Sequence, residues 1–151
     1  MKLILQRVNK ASVFVQQECV GKCQKGFCIL AGMEETDTPA EIEKMAHKIA
    51  YLRVFADENG KMNKSLLDIT GSILLVSQFT LLADCNTGRR PSFTKAGNPE
   101  KANQLFELLI TQLRHLNIPV ETGIFGADMI VHIENDGPAT FILESKKNET
   151  K

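Results

Sequence analysis

The stretch from Ile73 to Leu82 reads ILLVSQFTLL, and it joins an apolar run to a polar end. Residues 73–76 are continuously apolar, which is typical of a strand buried on both faces, whereas a surface strand would alternate apolar and polar residues. Ser77, Gln78 and Thr80 then bring hydroxyl and amide groups that need hydrogen-bond partners wherever they are buried. Taken alone, the stretch fits either a functional site or a strand that leaves the core with its polar side chains bonded to neighbouring backbone.

Composition and charge set the first bounds. The chain has 151 residues, 43% of them hydrophobic, and this size suits one domain, which we expect to span residues 1–145. A polar and mobile tail is expected at residues 146–151. Lys and Arg together number 18, as do Asp and Glu, so an anionic partner would have to meet a local cationic cluster. The N-terminal MKLILQR is too short an apolar segment for a signal peptide or a spanning helix, so we expect no membrane partner and a cytoplasmic location.

Neither the cysteines nor the histidines indicate a metal site. Cys19, Cys23 and Cys28 are spaced C-x3-C-x4-C, which matches no common zinc motif, and no histidine lies near them. Unpaired, reduced cysteines are the better prediction for this passage. The three histidines are dispersed along the chain and show neither metal nor triad spacing. The sequence therefore predicts no metal and no other cofactor.

The elements predicted along the chain are short strands and two amphipathic helices. Four strands are expected in the N-terminal third, separated by glycines: Leu3–Val8, Ser12–Gln16, Val20–Cys23 and Phe27–Ala31. The first helix has a clear start, because Thr38 can cap it, Pro39 suits its first position and Glu41 completes a capping box. The second helix should begin after Asn98 and end at Pro119.

A cationic loop follows the central stretch. Residues 84–95 carry Arg89, Arg90 and Lys95, with Phe93 among them. Such a cluster can contact phosphates through charge-assisted hydrogen bonds. A solvated loop without a ligand is the competing interpretation.

A second polar segment changes the interpretation of the first. NDGPAT at 135–140 stands between two predicted strands and by itself indicates a turn. Together with SQFTL at 77–81, it resembles the two signature motifs of the D-aminoacyl-tRNA deacylases, a family first described as D-tyrosyl-tRNA deacylases. Supporting matches are QRV at 6–8, GRRPSF at 88–93 and TGIFGADM at 122–129. The resemblance covers essentially the whole chain, and one departure is Ala139, where a valine is expected.

The resemblance implies an enzyme that hydrolyses the ester between a D-amino acid, or glycine, and the 3′-terminal adenosine of tRNA. Such an enzyme is a proofreader of translation. The implied fold is mixed α/β, with a layered, barrel-like sheet and two main amphipathic helices, assembled as a homodimer with each active site at the interface.

The same resemblance assigns roles to individual residues. Gly137 and Pro138 would form a cis peptide bond that enters the other subunit's pocket, where their carbonyl oxygens would collide with an L side chain but not with a D side chain. Arg7 would hold this dipeptide in place. The wall of the pocket and the site of the terminal adenosine would involve Ala102, Phe125, Gly126 and Met129.

The chemistry can be considered apart from the family. Ester hydrolysis needs a nucleophile, a route for protons and donors for the developing oxyanion. No G-x-S-x-G motif occurs and neither motif contains a histidine, so Ser77 or Thr80 as a covalent nucleophile is the weaker hypothesis. We favour attack by water, with backbone N–H groups around Phe79 and Thr80 holding the carbonyl, Gln78 orienting the substrate, and the ribose 2′-hydroxyl assisting.

Three other classes provide alternatives. A non-catalytic tRNA-binding module would use the cationic loop alone and would not need both polar motifs. An L-alanine-editing paralogue is closer, but we expect its residues at 77–80 and 135–138 to differ. A metalloenzyme is the least favoured, because no ligand spacing supports it.

Overall fold

The body of the fold is a curved, nearly closed sheet of six strands, as seen in a computed structural model that describes residues 1–145. The elements run in the order β1 (Lys2–Val15), β2 (Glu18–Cys23), β3 (Gly26–Gly32), α1 (Pro39–Tyr51), β4 (Phe55–Ala56), β5 (Met62–Lys64), β6 (Ser72–Ser77), a 3₁₀ turn (Phe79–Leu82), α2 (Pro99–His115), β7 (Val120–Thr122) and β8 (Ile130–Glu144). The prediction of a mixed α/β fold with a barrel-like sheet and two helices is confirmed. The tail predicted at 146–151 lies outside the described residues.

Strand β1 organises the sheet because it pairs with three other strands. Its first half, Lys2–Val8, is antiparallel to β3, its second half, Ala11–Val15, is antiparallel to β2, and β8 runs antiparallel along most of its length. Two separate strands were expected here, and that prediction was wrong. The chain turns only at Gln16 and Gln17, which have positive φ values of 49° and 66°.

The apolar stretch became strand β6 in the middle of the sheet, between β3 and β7 and parallel to both. Ile73 and Leu75 pack into the larger apolar core, which includes residues of both helices, whereas Leu74 and Val76 pack into a second core with residues of β1. All four are at most 3% exposed, so the prediction of a strand buried on both faces is confirmed. The strand ends at Ser77, and the chain then forms the 3₁₀ turn.

Both helices begin where the sequence predicted. In α1, Glu41 N–H donates to Thr38 Oγ1 at 3.4 Å and Thr38 N–H donates to Glu41 Oε2 at 2.9 Å, which is the capping box. In α2, the Asn98 side chain accepts from Glu100 N–H at 2.9 Å. This helix ends at His115, before Pro119, and no helix within residues 1–145 is long and apolar enough to cross a membrane.

The NDGPAT segment is a bulge within β8 rather than a turn between two strands. Val8 of β1 pairs with Asn135, and Gln6 pairs with Thr140. Residues 136–139 of β8 therefore stand opposite a single residue of β1, Arg7. Pro138 has no N–H to give to a ladder, which is why the pairing is interrupted here. The expected turn is therefore corrected to an outward bulge on a continuous strand.

Candidate active site

A pocket of about 820 Å³ opens where β6 ends. Its lining comes from the segment after β6, the start of α2, the loop before α2 and the segment before β8. The predicted site residues within it are Ser77, Gln78, Phe79, Thr80, Ala102, Phe125, Gly126 and Met129. The structure thus brings together residues that are more than 50 positions apart in the sequence, and all of these had been predicted to share a site.

The polar end of the stretch presents backbone donors to this pocket. Gln78 N–H donates to the carbonyl of Ala31 at 2.7 Å, which fixes the end of β6 against β3. The chain then enters the 3₁₀ turn, and the first N–H groups of a helical turn have no partner within it. Within residues 1–145, the N–H groups of Phe79 and Thr80 donate to no acceptor. Two adjacent residues that line the pocket therefore carry backbone donors without a partner.

Side chains around these donors are polar but not basic. Gln78 Nε2 donates to Thr80 Oγ1 at 3.1 Å, and this bond orients the Thr80 hydroxyl. Among the lining residues, all of which lie within 1–145, Asp128 is the one with an ionisable side chain. No histidine lines the pocket, so this part of the chain offers no imidazole that could activate a serine or threonine.

The opposite wall is apolar. Phe125 lies against Phe106 of α2, with the ring centroids 6.0 Å apart, and Ala102 stands one turn before Phe106 on the same helix. Gly126 has a φ of 77° and open space where a side chain would be, which leaves backbone exposed to the pocket. Such a surface can accept a flat heterocycle.

The Gly-Pro segment forms a separate site on the same chain. The bond between Gly137 and Pro138 is cis, and both residues are exposed. Arg7 supports this segment: its Nη1 donates to the carbonyl of Val54 at 2.7 Å, and its Nε lies 3.1 Å from Oδ2 of Asp136, the residue before Gly137. The predicted closeness of Arg7 to the dipeptide is present, but none of the three lines the pocket of its own chain.

The bulge is also tied to β1 through Asn135. Its side-chain Nδ2 donates to the carbonyl of Arg7 at 2.9 Å and to that of Ala139 at 3.1 Å. A Cβ on Gly137 would come within 2.9 Å of Arg7 Nη2, and the φ of 120° is in the range that favours glycine. The segment is therefore a supported projection and not a loose loop.

The cationic loop lies beside the pocket. Arg89, Arg90 and Lys95 are exposed and do not line it, whereas Phe93 from the same loop does. The loop is closed by two backbone bonds: Asp84 N–H donates to the carbonyl of Ser92 at 2.7 Å, and the reverse bond measures 2.9 Å.

Comparison with known proteins decides the family. The family model described as D-Tyr-tRNA(Tyr) deacylase matches residues 4–144. The chain belongs to this deacylase family. A D-aminoacyl-tRNA deacylase of Clostridium perfringens (strain SM101 / Type A) is 51% identical over 148 residues, covering 98% of this chain and 99% of the relative. Another of that name, from Sulfurihydrogenibium sp. (strain YO3AOP1), is 53% identical over 147 residues, covering 97% and 99%.

Solved structures show the same deacylase-family fold. A protein described as c-Myc DNA unwinding element binding protein is 44% identical with a TM-score of 0.92, covering 97% of this chain and 100% of that one. A probable eukaryotic D-amino acid tRNA deacylase has a TM-score of 0.80, covering 94% of this chain and 97% of that one. At 16% identity, the second comparison supports the fold alone.

The cysteines of this family member take no part in the pocket. All four are free, and burial raises the pKa of Cys23 to about 11 and that of Cys28 to about 12. Both thiols are therefore protonated at neutral pH and are poor nucleophiles. Within residues 1–145, no three side chains of the metal-ligating types gather as a metal ion would require.

Sequence reasoning missed two contributors. Asp136 pairs with Arg7 across the bulge, and the adjacency of an acidic residue to the Gly-Pro pair could have suggested a cationic partner. Phe93 was noted only as a member of the cationic loop, although its ring lies 5.1 Å from that of Phe79 in the pocket lining. No local pattern pointed to that contact, since it joins two separate segments.

Proposed function

We propose that the protein hydrolyses the ester that joins a D-amino acid, or glycine, to the 3′-terminal adenosine of tRNA. The free N–H groups of Phe79 and Thr80 carry this proposal, because they belong to adjacent residues that both line the pocket. Donors arranged in this way stabilise the oxyanion that develops when an ester carbonyl is attacked. Membership of the deacylase family supports the choice of ester.

The mechanism that suits these residues uses water as the nucleophile. Water adds to the ester carbonyl carbon while the two N–H groups donate hydrogen bonds to the carbonyl oxygen, on which the negative charge develops. The bond to the ribose oxygen then breaks, and a proton from the water passes to that oxygen with help from the neighbouring 2′-hydroxyl of the substrate. Gln78 and Thr80, joined by their 3.1 Å bond, orient the ester, and the free amino acid and the tRNA leave.

Chirality is selected by a second subunit. The carbonyl oxygens of Gly137 and Pro138 enter the pocket of the other subunit of a homodimer and occupy the space of an L side chain. The exposure of both residues and their support by Arg7 favour this role. Since they do not line the pocket of their own chain, the selection requires two chains.

The RNA is bound beside the pocket, and the reaction takes place in the cytoplasm, where tRNA is charged. Arg89, Arg90 and Lys95 are exposed next to the opening and contact the phosphates of the tRNA. The terminal adenosine lies against the apolar wall of Phe125, Gly126 and Met129.

Deacylation of matched D-tyrosyl-tRNA and L-tyrosyl-tRNA tests the proposal, with and without exhaustive chelation. Rapid release of D-tyrosine in both conditions, with L-tyrosyl-tRNA left intact, is the expected result. Binding of tRNA without release would indicate a non-catalytic module. Preferential release of alanine from L-alanyl-tRNA would indicate an L-alanine-editing enzyme. Loss of deacylase activity on chelation would indicate a metalloenzyme.

A further inference from the structure

Two phenylalanines at the rim of the pocket are exposed in a way that apolar packing does not explain. Phe79 is 60% exposed and Phe93 is 37% exposed, yet their rings lie 5.1 Å apart at an angle of 60°. One comes from the 3₁₀ turn and the other from the cationic loop, so the contact joins two separate segments. A tilted contact at this distance is favourable for aromatic rings, so each ring helps to hold the other in place while both keep exposed surface.

The segment that carries Phe93 is mostly positive in charge, although Asp128 lines the same pocket. Between residues 84 and 97 the chain carries Arg89, Arg90 and Lys95 against the single carboxylate of Asp84, although the whole chain has no net charge. Aromatic faces interleaved with Lys and Arg are the usual surface for single-stranded nucleic acid, because bases stack on the rings while the cations meet the phosphates.

We propose that Phe79 and Phe93 form a stacking platform for the unpaired nucleotide that precedes the terminal adenosine. The inference rests on the proposed function for the identity of the RNA, and it deepens that function by naming a subsite at the rim of the ester pocket. The terminal adenosine is assigned to the inner wall, at Phe125 and Gly126. The next base therefore emerges at the rim, where the exposed ring pair stands, and its phosphate faces the cationic loop.

Substrates of increasing length test this platform. We would compare D-tyrosyl-adenosine, the same ester on the trinucleotide cytidylyl-cytidylyl-adenosine, and whole D-tyrosyl-tRNA. Phe93→Leu removes the ring but keeps an apolar side chain, and Phe93→Tyr keeps the ring. For Phe93→Leu, kcat/KM on the trinucleotide relative to that on D-tyrosyl-adenosine should fall about 5- to 100-fold. Phe93→Tyr should keep a ratio close to that of the wild type.

Tyr51→Ala is the matched control, because Tyr51 is also an exposed aromatic residue, 56% exposed, but lies on α1 outside the pocket. Its substrate ratio should equal that of the wild type. An equal loss on all three substrates for Phe93→Leu would mean that Phe93 is only pocket wall and would overturn the platform. No loss on any substrate would overturn it as well.

Binding of the trinucleotide without an attached amino acid, measured by fluorescence anisotropy, separates this inference from the proposed function. A wild-type protein that hydrolyses no D-tyrosyl ester refutes the function. If that protein still binds the trinucleotide, and Phe93→Leu weakens this binding about 5- to 100-fold, the stacking platform is supported even though the proposed hydrolysis is refuted. Binding that Phe93→Leu leaves unchanged would refute the platform in either case.

Discussion

Replacing Gly137 with alanine tests the Gly-Pro projection without deleting any side chain. The φ of 120° there favours glycine, and forcing another residue into a sparsely populated region costs about 1–3 kcal/mol. The new Cβ would also lie 2.9 Å from Arg7 Nη2, so the guanidinium would have to move. That movement would weaken or break the 2.7 Å hydrogen bond from Arg7 to the carbonyl of Val54. A hydrogen bond from a charged donor contributes about 1.5–3 kcal/mol to the free energy of unfolding.

Gly60→Ala is the matched control for this change. Gly60 has a φ of 75°, also in the positive range, but no atom lies within 4 Å of the position that its Cβ would take. It should therefore show a backbone cost of about 1 kcal/mol without any collision. The difference in the free energy of unfolding between the two variants, measured in urea, reports the added cost of the close contacts at Gly137, which are with Arg7 Nη2 and with the backbone nitrogen of Ala139 at 3.0 Å.

The functional assay is deacylation of D- and L-tyrosyl-tRNA by the same two variants. We expect Gly137→Ala to lose D-tyrosyl activity and to discriminate less against the L ester, because a displaced Arg7 would no longer support the segment through Asp136 and the carbonyl oxygens of Gly137 and Pro138 would shift. Gly60→Ala should keep both properties. A Gly137→Ala protein that is as stable as Gly60→Ala and fully D-selective would refute the reasoning, and the segment would then be only a bulge.

Three further predictions concern the hydroxyl, the loop and a buried thiol. Thr80→Val removes the acceptor of the 3.1 Å bond from Gln78 and should lower kcat about 10- to 100-fold without abolishing it; an aminoacyl ester trapped on Thr80 would contradict this. Combining Arg89→Ala with Arg90→Ala should reduce the log–log salt slope of tRNA binding by about 1.4–1.8 if each contacts one phosphate, and an unchanged slope would mean a merely solvated loop. Burial raises the pKa of the Cys28 thiol from 9.0 to about 12, so this thiol should resist alkylation at pH 8 in the folded protein. The contribution of the protonated thiol to the free energy of unfolding should be lost as the pH rises from about 9 towards 12. Rapid labelling of Cys28 under native conditions would contradict its burial.

Features encoded within a few neighbouring residues were predictable from the sequence. The capping box of Thr38 and Glu41 needs only four consecutive residues, and the burial of β6 on both faces follows from one unbroken apolar run. Eight of the residues that line the pocket were also assigned to one site, but through the resemblance to a family. Periodicity alone could not have brought Ser77 and Phe125 to the same cavity.

Features that depend on strand register were missed. β1 was divided into two strands because Asn9 and Lys10 interrupt its apolar pattern, and both are exposed on the continuous strand. The NDGPAT segment was expected to be a turn because its residues favour turns, but pairing with β1 on both sides of it keeps β8 continuous. Only the register places residues 136–139 opposite a single position.

The position of the two free donors follows from how β6 ends. The strand is fixed by burial on both faces and by the bond from Gln78 N–H to Ala31, so the turn that follows begins from a rigid point. The first N–H groups of such a turn have no partner within it, and in an open pocket water can satisfy them at little cost. In the proposed mechanism, an ester carbonyl that displaces this water finds the donors already oriented, and no loop has to be ordered during the reaction. The long apolar run before SQFT supports that mechanism, because it holds the backbone of Phe79 and Thr80 in place.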